Sequence, residues 1–164
     1  MPALHSTTAP EPEGPHPDHA LLAAGALLDT LIERWVPLAL RDEQLSREVA
    51  RLAHSEGWAT ITPKGELQSY LPGGLHHIGK LEERLGAMEA AEAELHASIS
   101  IDRLATFIRT LLPSTPAGLA VHARALRWSF ERTFYLRPPP PDGEDDALIF
   151  DFLATVERIV RGWQ

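Results

Sequence analysis

Eight histidines and 23 carboxylates are the side chains with most chemistry to offer in this chain of 164 residues. Carboxylate-bridged metal bundles take Glu-x-x-His on helices, a spacing that sets two ligands on one face. It occurs once, from Glu13 to His16, in a proline-dense stretch that no helix can organise. There is no His-Glu-x-x-His pair, and His16-Pro-Asp-His19 and His76-His77 read as solvated or capping histidines. The chain has no cysteine, which removes thiolate zinc sites, disulfides and a cysteine nucleophile together. It also lacks a Gly-x-Ser-x-Gly elbow and any glycine-rich phosphate loop; Gly73-Gly74 reads as helix punctuation. No catalytic residue, metal site or cofactor is therefore expected.

Charge is segregated along the sequence. Residues 82–102 carry six acids against Arg84, a net of -5, with Glu82, Glu83, Glu89 and Glu94 on a polar helix face. Glu92 falls on the apolar seam of the same helix, where it either meets a buried partner or turns outward. Residues 103–137 carry Arg103, Arg109, Arg124, Arg127, Arg132 and Arg137 against Glu131, a net of +5. One outcome is that acidic and basic helices face each other within the molecule. The other is an exposed binding face of His122, Arg124, Arg127 and Trp128, with guanidiniums for phosphate and an indole to stack on a base.

The elements that position these groups are mostly helical. Residues 1–17, with five prolines and no Lys or Arg, form an expected flexible tail ahead of a single helical domain over 18–164. Asp18 is placed to cap a helix bearing Leu21, Leu28, Leu31, Ile32 and Trp35, with Ala24 and Gly25 in the stripe. Pro37 is expected to kink or end it. A second helix opens near Asp42, carries Leu45, Val49 and Leu52, and closes at Gly57. Residues 59–71 combine β-branched residues with the turn Pro63-Lys64-Gly65 and predict a short β-hairpin.

A long helix follows Gly74, with Ile78, Leu81, Leu85, Met88, Leu95 and Ile99 at heptad-like spacing. Its phase shifts near 98–102, so the helix either restarts with Ser100 as cap or runs through a stutter. Thr115-Pro116 pairs a capping hydroxyl with proline at the first helical position. The helix it starts bears Leu119, Ala123, Leu126 and Phe130. After Pro138 to Pro141, a terminal helix opens on Glu144, Asp145 and Asp146 and ends with Arg158, Arg161 and Trp163. The expected fold is an all-α bundle of five to six helices with one small hairpin.

Composition agrees with that class: 44% hydrophobic and 23% charged residues describe an ordinary globular domain with room for a core. The longest apolar run, Ala20 to Leu28, is far short of the roughly 20 residues a bilayer demands. The start of the chain lacks the basic residues of a secretory signal. A cytoplasmic location is expected.

Two family resemblances follow from particular segments. The run Leu112-Pro113-Ser114-Thr115-Pro116-Ala117-Gly118-Leu119-Ala120-Val121-His122-Ala123-Arg124 resembles the Thr-x-x-Gly-Leu-Ala-x-Lys-Ala-Arg segment of small all-helical alphaproteobacterial proteins. Thr115, Gly118, Leu119, Ala123 and Arg124 carry the match, and His122 stands where that family has Lys. The resemblance implies a helical fold over roughly residues 75–162 and no particular activity. The layout of residues 42–87, a helix, a hairpin and a long helix, is similar to phage terminase small subunits and to a winged helix. That likeness implies DNA binding.

The expected function is thus a non-enzymatic interaction or adaptor protein that binds another protein or itself, with Trp35, Trp58, Trp128 and Trp163 as interface anchors. A DNA-binding component of a phage or mobile element is the alternative.

Overall fold

The computed structural model describes residues 16–130 together with Leu136 and Val156. The tail expected over 1–17, apart from His16 and Pro17, and the terminal helix expected after Pro141 lie outside the described residues, Val156 excepted. The described chain runs α1 (His19–Ser55), β1 (Ala59–Ile61), β2 (Leu67–Tyr70), α2 (Gly74–Leu85), α3 (Ala87–Thr110) and α4 (Pro116–Phe130). Among the described residues there are thus four helices rather than five or six.

The difference in count arises first at Pro37. It does not end the helix: α1 is one element of 37 residues with Pro37 inside it. Proline removes one donor and crowds the carbonyl four residues earlier. Here it occupies an exposed position beside exposed Glu33, where water can meet the freed carbonyl, while Trp35 and Ala39 remain buried on the core face. Packing on both sides outweighs a local penalty of about 3 kcal/mol.

Unbroken, α1 serves two cores. Leu21, Leu28, Ile32, Trp35 and Ala39 pack with Ile101, Ala105 and Ile108 of α3 and Val121, Ala125 and Trp128 of α4. Val49 and Ala53, two turns or more beyond, pack with Ala59, Ile78, Leu81 and Ala87.

Gly57 closes α1 at φ 78°, as expected, and the Trp58 amide reaches back to the Ala53 carbonyl at 2.7 Å. The hairpin forms as expected, antiparallel with Ala59 opposite Tyr70 and a bulge after Thr60. Gly74 must lack a side chain, because a Cβ there would run into the Trp58 carbonyl oxygen.

The long helix expected after Gly74 breaks early, at Gly86 with φ 70°, and then continues unbroken through residues 98–102. Ser100 does not cap a new helix; its hydroxyl donates back to the His96 carbonyl at 3.1 Å, and Ser98 does the same to Leu95. No helix among the described residues is long and apolar enough to cross a membrane.

Candidate interaction surface

Thr115 caps α4 through its hydroxyl, which accepts from the Gly118 amide at 3.2 Å. The same hydroxyl donates to the Asp18 carboxylate at 2.5 Å, and the amides of Ser114 and Thr115 donate to it at 2.9 and 2.8 Å. Asp18 was expected to cap α1. Its backbone carbonyl does accept from Leu22, but its side chain is spent on the start of α4 instead. The Thr115 hydroxyl above all, opposed by burial and assisted by the two amides, holds the Asp18 carboxyl below its ordinary range. Gly118 is glycine because a Cβ would strike that carboxylate.

Two turns further along α1, it touches α4 at Gly25, where a Cβ would lie 2.6 Å from Val121 Cγ2. Arg124 extends across this crossing to Asp29 of α1, Nε to Oδ1 at 3.3 Å. Arg124 thus has an acidic neighbour on α1. Ala123 is buried, Leu119 is exposed, and His122 is partly buried with Nε2 lacking a hydrogen-bond partner among the described residues.

Trp128 is 2% exposed and Trp35 1%, so neither can serve as an interface anchor, and Trp128 presents no face for a base. Their rings meet edge to face, centroids 4.8 Å apart at 85°. Each indole N–H donates to a carboxylate on α3 at 2.7 Å, Trp35 to Glu94 and Trp128 to Asp102. Trp58 is half-buried and stacked on His77 at 3.8 Å. Trp163 lies outside the described residues.

Two arginines on the second half of α1 have local partners: Arg47 pairs with Glu43 and Arg51 with Glu48, both at 2.6 Å. A groove of about 270 Å³ opens between α1, the hairpin, α2 and α3, lined by Asp42, Ser46, Tyr70, Glu82 and Met88. Burial, then the charge of Glu94, pushes the Asp42 carboxyl above its ordinary value. No group of three or more metal-ligating side chains gathers among the described residues.

Part of the surface open to solvent is apolar. Met88, Leu95 and Ile99 of α3 are 59%, 51% and 36% exposed. Their separations of seven and four residues place them in one line along the helix. They belong to the seam expected from the sequence, yet only its first part, Ile78 and Leu81, is buried. Glu92, the charged intruder on that seam, is exposed too. Comparison with protein-family models, curated proteins and solved structures finds no match.

Sequence reasoning missed the roles of Asp18, Glu94 and Asp102. A weak signal existed for the first, since glycine in the first turn of a helix implies a close neighbour. Nothing local marked the other two, which look like any polar helix residues.

Proposed function

We propose that this chain is a non-enzymatic, cytoplasmic interaction protein that binds a protein surface through the outward apolar stripe of α3. The observation that carries the reading is the alignment of Met88, Leu95 and Ile99 at coiled-coil spacing on a face open to solvent. Supporting it, Asp18, Glu94 and Asp102, side chains a catalytic site would recruit, are engaged in holding helices together. The absence of cysteine suits a reducing compartment. The nucleic-acid alternative draws less support, since Trp128 is buried and Arg47, Arg51 and Arg124 sit against carboxylates.

The test is affinity capture with the wild-type chain and a Leu95→Glu, Ile99→Glu variant, with the bound proteins, this chain included, quantified. A stoichiometric species retained by the wild type and lost with the variant is expected. Identical profiles from the two baits would sink the reading. Fluorescence anisotropy with a short DNA duplex at about 50 and 200 mM salt checks the alternative. Tight binding that collapses at the higher salt would replace the protein-binding reading with a DNA-binding one.

A further inference from the structure

Helix α3 has two apolar faces of different character. Its buried face is built largely from small residues, Ala87, Ala90, Ser98 and Ala105, with Ile101 and Ile108. The outward face carries Met88, Leu95 and Ile99, separated from the first by roughly a third of a turn of helical azimuth. Exposed charges along α3 are polarised as well. Glu89 and Glu92 lie toward its N-terminal half, and Arg103 and Arg109 toward its C-terminal half. Asp102, which accepts from the Trp128 indole, is exposed beside Arg103, so the exposed charges sum to -2 in the N-terminal half and +1 in the C-terminal half.

A stripe with opposite charge at its two ends is complementary to itself when reversed. Two parallel copies would set Glu89 and Glu92 against the same acids. Two antiparallel copies set the acidic half of one helix against the basic half of the other, and a two-fold axis repeats each pairing. Glu89 lies opposite Arg103 when the axis passes near exposed His96, close to Leu95 and Ile99. We infer that the stripe docks on the same stripe of a second copy, forming an antiparallel α3–α3 pair about a two-fold axis near His96. This rests on the interaction reading above and names its partner.

Sedimentation equilibrium of the full chain at about 5–200 μM tests the inference, over a range that brackets micromolar affinity. A dimer is expected, with Leu95→Glu, Ile99→Glu weakening it at least about tenfold while the circular dichroism spectrum and Tm hold. Because the chain has no cysteine, single introduced thiols report the geometry. His96→Cys should crosslink to itself, whereas Glu89→Cys should crosslink to Arg103→Cys and not to itself. Self-crosslinking of Glu89→Cys would overturn the antiparallel arrangement. A monomer throughout the range overturns the inference, yet stripe-dependent capture of a different protein would leave the interaction reading standing. A monomer with capture unchanged by the stripe variant sinks both.

Discussion

The Asp18 carboxylate and the Thr115 hydroxyl, 97 residues apart, meet at 2.5 Å and tie the start of α1 to the start of α4. One carboxylate accepts three hydrogen bonds there, beside the positive end of the α4 dipole. Asp18→Asn should lower Tm by several degrees at pH 7, because an amide brings donors to a site built from donors. The folded-state pKa of Asp18 lies below the unfolded value of about 3.9, so the stabilisation is complete above that value and is lost as pH falls through the folded pKa. Thermal melts of both proteins from pH 7 down to about 2.5 should therefore converge at the acid end. A gap that stays constant with pH would place the effect elsewhere.

Gly118 should tolerate no side chain. Gly118→Ala forces its methyl onto the Asp18 carboxylate and Leu21 and should cost about 1–3 kcal/mol in denaturant unfolding. Combined with Asp18→Ala, the loss should be smaller than the sum of the two, since the first clash has been removed. Strict additivity would show that the two residues do not share this contact.

The two indole–carboxylate bonds should be separable. Trp35→Phe strands the bond to Glu94, and Trp128→Phe the bond to Asp102, each at about 1–3 kcal/mol. Glu94→Gln should cost less in the Trp35→Phe background than in the wild type, since the bond to the indole is already gone there. Chemical denaturation of the double-mutant cycle checks this, and a zero coupling energy would contradict the geometry.

Asp42 works in the opposite sense to Asp18. Its folded-state pKa is raised by burial and by Glu94, so its charged form is the disfavoured one in the folded chain. Relative stability is greatest below the unfolded pKa and is lost as pH rises through the folded value. Asp42→Asn should raise Tm by about 1–2 °C at pH 7, with the gain fading below about pH 4. A variant less stable than wild type at pH 7 would show that the carboxylate is needed there.

Much of the architecture was legible because its signals are local. The hydroxyl-proline start at Thr115-Pro116, the Gly57 stop and the β-branched run at Ala59 to Thr62 each act on backbone within a few residues. The hairpin and the α4 start followed directly. Pro37 shows the limit, since its local penalty is fixed but the packing of Trp35 and Ala39 that overrides it comes from other helices. Ser100 was ambiguous for the same reason, because a hydroxyl can cap a new helix or bond back within an old one.

By itself, then, the sequence determined where most helices begin and that they are amphipathic. Tertiary structure decided which apolar face of α3 is buried. In the first part of α3 periodicity favours the larger residues Met88, Leu95 and Ile99, whereas the fold buries the face containing Ala87, Ala90 and Ala105 together with Ile101 and Ile108. Small side chains on α3 let α1 and α4 approach closely and leave room for Trp35 and Trp128. Whether a face is buried depends on the shapes brought to it by residues distant in sequence, and no pattern within one helix contains that information. Asp18 found its partner in the same way, because only the packing of α1 along α4 brings residue 18 to residue 115.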